Sequence, residues 1–336
     1  MQWTYRVGAH IFTLNIPKGI LSEKELTPYA PFQIDSSFET DTYFQTAPVF
    51  QTDSTFEIAS YSEEEKLFTL TFTNDAESLA PQTNAPGSVT AQTNDAESLA
   101  AQTTSTANLV DEKGKMTIFT HSDGSLTIYL TAVSGCECCR LQISKDYHTA
   151  KVWIGGTHSE RRYALDTTLM LLYAFASSRL NTLFLHASTI EYNGKGYLFL
   201  GKSGTGKSTH SRLWLNHIPG SKLLNDDNPV IRIIDGQCYV YGSPWSGKTP
   251  CYLNRKIPIG GIARLSQAPF NRITQLSPLK AYAALLPSCS HMKWNHEMSE
   301  AVHNTLIQLL QHTKLYYFEC LPNKGAAHLC KTTLQA

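Results

Sequence analysis

Short runs in which apolar, aromatic and β-branched residues are mixed with polar ones recur through the first half of the chain, at 3–7, 11–16, 55–59, 66–72, 116–121, 126–131 and 141–144. That composition over such lengths predicts β-strands. His121-Ser122-Asp123-Gly124-Ser125 separates two of these runs and reads as a hairpin turn. From about residue 161 the pattern changes. Leu165, Leu169, Leu172, Tyr173 and Ala176 follow helical spacing. Strands are expected at 182–185 and 189–192, with Asn193-Gly194 as a turn, and at 196–200. Helix-compatible sequence follows at 209–214, then an apolar pair, Leu223-Leu224, further strands, and closing helices near 298–312 and 323–334. Glu297 and Glu300 suit the positive end of the first closing helix. The expectation is a β-rich N-terminal domain over 1–160 and an α/β layered domain over 161–336.

One stretch breaks the strand pattern. Residues 73–80 read Thr-Asn-Asp-Ala-Glu-Ser-Leu-Ala, and 93–100 repeat that sequence. The surrounding 73–108 are Thr, Ala, Gln, Asn and Ser with almost no large apolar residue, a composition that cannot bury enough surface to offset its ordering entropy. A mobile loop between two strands is expected there.

Composition narrows the function classes. The chain has 336 residues, 42% of them hydrophobic, with 28 Lys plus Arg against 28 Asp plus Glu. A balanced charge gives no global field to recruit nucleic acid or an anionic membrane. Residues 1–20 lack the basic start and apolar core of a signal peptide. No apolar run approaches the length of a membrane-spanning helix, so a cytoplasmic protein is expected. Three of eight cysteines crowd together at Cys136, Cys138 and Cys139. Alternation places Cys136 and Cys138 on one strand face and Cys139 on the other. With no second Cys/His pair at zinc spacing, reduced thiols at a strand edge are expected.

The most specific signal is Gly201-Lys202-Ser203-Gly204-Thr205-Gly206-Lys207-Ser208-Thr209, which satisfies the spacing Gly-x4-Gly-Lys-Ser/Thr directly after an apolar strand. Gly201, Gly204 and Gly206 permit positive φ and close approach to a phosphate. Successive N–H groups and the following helix start then face an anion. Lys207 reaches the β- and γ-phosphates, and the Ser208 hydroxyl suits Mg2+. Asn225-Asp226-Asp227 follows the apolar Leu223-Leu224 pair. Adjacent carboxylates after such a strand suit one metal ligand, direct or through water, and one proton acceptor; Asp227 with Ser208 on the metal and Asp226 as base is the expectation, with the two roles exchangeable between the neighbours. A turn built on Asn228-Pro229 is the plainer reading of the same residues. His186 ends a short apolar strand. Residues 242–248, Gly-Ser-Pro-Trp-Ser-Gly-Lys, place Trp245 and Lys248 on a loop that suits a phosphate or acceptor cover, with Arg255 and Lys256 soon after. His291, His296 and His303 have no ligand partners at useful spacing.

Taken in order, His-Ala-Ser at 186–188, the glycine-rich motif at 201–209, Asn-Asp-Asp at 225–227 and the 242–248 loop resemble the catalytic domain of bacterial HPr kinase/phosphorylase. The resemblance spans about 165–335, and that family shares its nucleotide-binding core with phosphoenolpyruvate carboxykinase. The closing run 315–320, with Pro322 before a last helix, is similar too. Thr209 stands where that family typically carries Glu, and 1–160 do not resemble its N-terminal domain. The resemblance implies a carboxykinase-like P-loop core, a mixed sheet flanked by helices, and ATP with Mg2+ as cofactors. It implies a kinase acting on a hydroxyl of a protein, peptide or metabolite, with His186 orienting the carboxylates. A carboxykinase-type lyase and a non-catalytic nucleotide sensor or scaffold are the alternatives. The sequence leaves the acceptor and the oligomeric state open, a homo-oligomer included.

Overall fold

The computed structural model describes residues 2–16, 21, 23–34, 69–73, 103–111, 114–247, 249–290 and 295–335. The chain divides into two compact units. The first comprises Met1–Thr4, Ile11–Thr27 and Gln51–Ala176, and the second Tyr5–His10, Pro28–Phe50 and Ser177–Ala336.

The N-terminal strands are β1 (Gln2–Val7), β2 (His10–Asn15), β3 (Gln33–Ile34), β4 (Thr69–Thr73), β5 (Thr103–Asp111), β6 (Gly114–His121), β7 (Leu126–Ala132), β8 (Glu137–Ile143) and β9 (Ala150–Ile154). They form one sheet in the order β3-β1-β2-β4-β9-β8-β7-β6-β5. From β5 to β9 this is an antiparallel meander, while β4 runs parallel to both β2 and β9. The expected turn closes β6 and β7, with His121 N–H donating to Ser125 O at 2.9 Å. A short helix, α1 (Glu23–Leu26), precedes the long α2 (His158–Ser177). Leu165, Leu169, Leu172 and Tyr173 lie on the buried face of α2, as their spacing predicts.

Two expectations change here. The strand proposed at 55–59 and the repeat at 73–80 and 93–100 lie largely outside the described residues. However, 103–108 belong to β5, where the backbone pairs antiparallel with β6 from Thr103 opposite His121 to Asp111 opposite Gly114, and this long-range ladder overrides the weak local signal of Thr, Ser and Asn. The cysteines do not mark an edge, since β8 lies between β7 and β9. Cys138 and Cys139 are both buried, the first donating to Leu130 O at 3.5 Å and the second 3.4 Å from Thr168 Oγ1 on α2. Burial pushes their thiols up to about 11 and about 12, so both stay protonated and unreactive. Among the described residues no group of three or more His, Cys, Asp or Glu could hold a metal.

The second unit holds a mixed sheet. Its strands are β10 (Thr182–Phe184), β11 (Ala187–Tyr192), β12 (Lys195–Leu200), β13 (Lys222–Asp227), β14 (Val230–Ile234), β15 (Gln237–Tyr241), β16 (Lys256–Gln267), β17 (Arg272–Gln275) and β18 (Leu315–Cys320). The order is β10-β14-β15-β16-β12-β11-β13, with β18 beside β16 and β17 beside β18. Helices α3 (Lys207–His217), α4 (Pro278–Leu285), α5 (His296–His312) and α6 (Lys324–Gln335) cover it. The alternation of β12 explains both layers. Leu198 and Leu200 join a core with Leu285 of α4 and Leu306 of α5, while Tyr197 and Phe199 join Trp214 of α3 and Ala327 of α6 on the other face. A strand buried on both sides reads as one continuous apolar run, as 196–200 do.

Strand β16 changes partners along its length, pairing β15 through Lys256–Pro258 and β18 from Ile262 onward. Gly260 and Gly261 sit at the change. A Cβ on Gly260 would lie 2.8 Å from the Tyr197 ring, and one on Gly261 2.6 Å from Leu334 of α6. Only glycine lets the strand approach both. Helix α4 escapes the period argument, though Ser277-Pro278 is a helix-start signal, with Pro in the first turn. Helix α5 is capped by Asn295, whose Oδ1 accepts from Met298 N–H at 2.9 Å. Among the described residues no helix is long and apolar enough to cross a membrane.

Candidate active site

Three chain segments converge at one edge of the second sheet, and strand register brings them there. Ala187, the first residue of β11, pairs with Leu200 at the end of β12 and with Asp227 at the end of β13. His186, the glycine-rich loop and the two aspartates therefore meet, although some forty residues of sequence separate the first from the last.

The loop leaves β12 at Gly201 and enters α3 at Lys207. Gly204 has φ 80° and Gly206 φ 106°, both in the region that favours glycine. Gly206 occupies the cap position and offers α3 no side-chain cap, which leaves the first-turn N–H groups without that partner. Thr205 closes the turn, its Oγ1 donating to Lys202 O at 2.7 Å and its N–H to the same oxygen at 3.1 Å. Ser203 and Thr209 lie exposed on the loop and on the first turn of α3.

Lys207 is buried, its Nζ donating to Gly201 O at 3.0 Å and lying 2.7 Å from His186 Nε2. An ammonium has no lone pair to offer, so His186 Nε2 accepts and the ring proton sits on Nδ1. That Nδ1 lies 2.9 Å from Asp227 Oδ1. Lys207, His186 and Asp227 thus form one relay. Asp227 also accepts from Asn228 Nδ2 at 3.2 Å, and its backbone has φ 143°, rare for a side-chain-bearing residue.

Ser208 pairs instead with Asp226, its Oγ donating to Oδ1 at 2.9 Å. Asp226 is only 3% exposed, and its Oδ2 is buried with no hydrogen-bond partner among the described residues. A buried carboxylate oxygen without a donor is costly, and its position beside the Ser208 hydroxyl fits a cation. Ser208 therefore meets Asp226, while Asp227 turns to His186. Register puts Asp226 opposite Ser188 under the start of α3, while the turn at 228 swings Asp227 toward His186. Beneath them the Cys251 thiol donates to Leu224 O at 3.4 Å and is pushed up to about 11 by burial and by the charge of Asp226.

Residues 242–247 are a brace. Asn225 Nδ2 donates to Ser243 Oγ at 3.1 Å, and Ser243 Oγ donates to Asn228 O at 2.6 Å. Gly247 N–H donates to Asp226 O, and a Cβ on Gly247 would stand 3.1 Å from Asp227 Cβ. Trp245 does not cover the site as expected. It is 4% exposed, packed edge-on against Phe184 at 5.2 Å and Tyr29 at 6.3 Å, because its indole buries more apolar area inside than it would over a polar loop. Lys248 lies outside the described residues. Arg255 is held by Glu191 Oε1 at 2.6 Å, with no polar contact to the glycine-rich loop among the described residues. Lys256 stacks its Nζ over Tyr239 at 3.9 Å. His303 is occupied by Tyr282 and Ser299, and His296 lies 3.9 Å from Glu300.

On the opposite flank of the loop, β16 runs parallel to β12 and sets Arg264 opposite Leu200. A groove of about 480 Å³ opens there, lined by Lys202, Ser203, Thr205, Arg264, Gln267 and Tyr317 among others. Sequence reasoning missed Arg264, Gln267 and Tyr317. Gly260-Gly261 followed by Ile-Ala-Arg was the only local hint, and it requires knowing that β16 is parallel to β12.

A family model described as "SynChlorMet cassette protein ScmC" matches residues 158–313. That span contains His186, the glycine-rich loop, both aspartates and Arg264, and stops short of β18. No curated protein matches the chain. Among solved structures, the Hpr(Ser) kinase/phosphatase from Coxiella burnetii is similar at 12% identity and a TM-score of 0.28, over 45% of this chain and 88% of that one. A likeness of that score establishes no shared fold.

Proposed function

We propose that the chain binds a nucleoside triphosphate, ATP with Mg2+, at 201–208 and transfers its terminal phosphoryl group to a hydroxyl. The observation that carries this reading is the orphan Asp226 Oδ2, buried beside Ser208 at the start of a helix that opens from a glycine-rich loop. Mg2+ takes few protein ligands and completes its shell with phosphate oxygens and water. Ser208 Oγ and Asp226 Oδ2 are the atoms that fit it, and the ion would neutralise charge on the β- and γ-oxygens.

The remaining roles follow from accessibility. Asp227, whose side chain is 19% exposed, is the carboxylate an acceptor hydroxyl can reach. It takes the hydroxyl proton as the oxygen bonds to the γ-phosphorus and the bond from that phosphorus to the β,γ-bridging oxygen breaks, leaving the diphosphate. His186 holds Asp227 through Nδ1–H and receives Lys207 on Nε2 before the nucleotide arrives. Lys207 then turns its ammonium to the phosphates, where fixed positive charge stabilises the transition state. The roles of Asp226 and Asp227 are thereby exchanged relative to the sequence expectation.

The test is transfer of label from γ-labelled ATP into a panel of free amino acids, sugars and peptides. Label in a phosphate ester, lost in Asp227→Asn, supports the reading. Bound ATP with no transfer to any acceptor would favour a sensor, and bicarbonate-coupled turnover of phosphoenolpyruvate would favour a lyase.

A further inference from the structure

The groove beside the glycine-rich loop is large enough for a small-molecule site and is not used by the relay described above. We propose that it holds the nucleoside half of the donor, with the base on Tyr317 and Arg264 beside the α-phosphate. This inference rests on the phosphoryl-transfer reading.

The two flanks of the loop differ in chemistry. The carboxylates and His186 all lie on the β11 and β13 side. An acceptor must approach the γ-phosphorus in line, on the side where a carboxylate can take its proton. The leaving diphosphate and its nucleoside therefore extend the other way, toward β16 and β18. A crevice outside the carboxyl ends of adjacent parallel strands is where open α/β sheets bind such ligands, and β12, β16 and β18 are parallel neighbours there.

The lining has the right chemistry. Lys202 and Arg264 are cationic, and no carboxylate lines the groove among the described residues. Arg264 is half-buried and anchored by Nη1, which donates to Ala284 O at 2.5 Å. One anchored donor orients the planar guanidinium and leaves others for an anionic oxygen. Gln267 Nε2 donates to Gly204 O at 3.2 Å, tying the groove wall to the loop itself. Tyr317, half-buried opposite Arg264 on β18, supplies an aromatic face for a base.

Binding of ATP–Mg and of inorganic tripolyphosphate–Mg to the full chain, measured by calorimetry, separates the nucleoside contribution from that of the phosphates. Wild type should bind ATP more tightly than tripolyphosphate. Tyr317→Ala should weaken ATP by about tenfold or more while leaving tripolyphosphate unchanged, and Tyr317→Phe should retain ATP affinity. Ser266→Trp, which fills the groove from its wall, should act like Tyr317→Ala without removing anything from β18. Equal affinity of wild type for the two ligands, or ATP affinity kept within about twofold in both groove variants, overturns the groove assignment and leaves the phosphate-loop reading standing. Parallel loss of both ligands in the two variants also overturns it. Wild type that binds neither ligand defeats both readings.

Discussion

Acidification from about pH 8 to about pH 5 perturbs a buried ring in the helix that follows the glycine-rich loop. His210, one turn into α3, donates its backbone N–H to Gly206 O at 2.8 Å. Its ring is 3% exposed, set edge-on to Phe199 at 4.6 Å and to Phe318 at 5.4 Å. Trp214 Nε1–H donates to His210 Nε2 at 3.1 Å, which fixes the neutral ring with its proton on Nδ1. Burial lowers the imidazole from 6.5 to about 3. The folded state therefore refuses a proton that the unfolded state accepts, and stability falls as pH drops through 6.5 toward 3. At pH 5 the loss from this one ring is about 2 kcal/mol, and it tends to about 5 kcal/mol below the folded value. His10, also depressed by burial and by the charge of Arg232, adds a loss of the same sign. Urea unfolding of wild type and His210→Gln at the two pH values isolates the His210 share, because His10 contributes to both proteins. Gln is expected to cost stability at both pH values while flattening the pH dependence by about 2 kcal/mol. Equal pH dependence in the two proteins would show that His210 is not the proton sink and that its packing has been misread.

Three further outcomes are expected. Asp226→Asn should raise the Mg2+ concentration needed for ATP binding, whereas Asp227→Asn should bind ATP–Mg nearly normally and lose transfer by about 10² to 10⁴; Mg2+ titrations and label transfer on both variants check this, and identical behaviour of the pair contradicts it. Gly206→Ala should weaken ATP binding far more than it shifts the melting temperature. Its Cβ meets nothing closer than Thr209 Cβ at 4.0 Å, yet φ 106° strains any side-chain-bearing residue by about 1 kcal/mol or more and displaces the loop's N–H groups. Arg255→Ala should leave nucleotide affinity within about twofold of wild type and cost at most about 1 kcal/mol, since half-exposed ion pairs contribute little.

Much of the second unit is legible in the chain because its local signals agree. The run at 196–200 is apolar on both faces, glycines follow at once, and the helix start comes directly after Gly206, so strand, loop and helix are read together. Asn193-Gly194 adopts positive φ at both positions, as that pair of residues predicts. What sequence could not supply is register. Whether Ser208 meets Asp226 or Asp227 depends on which residue of β13 lies opposite Ser188, and a shift of one exchanges the two carboxylates. Trp245 misleads for a related reason. In sequence it sits among Gly, Ser and Pro like a loop residue, but its neighbours Phe184 and Tyr29 come from distant segments. The groove was illegible because Arg264, Gln267 and Tyr317 become neighbours of the loop only through the parallel β12-β16-β18 arrangement. In the first unit, 103–108 read as loop because Thr, Ser and Asn carry weak strand signals, while their long-range pairing with β6 fixes an extended conformation.

The central claim is that 201–208 is a phosphate site whose cation is Lys207. Its most direct test is the affinity of wild type and Lys207→Ala for ATP–Mg, measured by calorimetry alongside the melting temperature of each. Wild type is expected to bind, and the variant, folded but without the ammonium that faces the phosphates, should bind at least about tenfold more weakly. Equal ATP–Mg affinity in the two proteins, or no binding by folded wild type, would contradict the account.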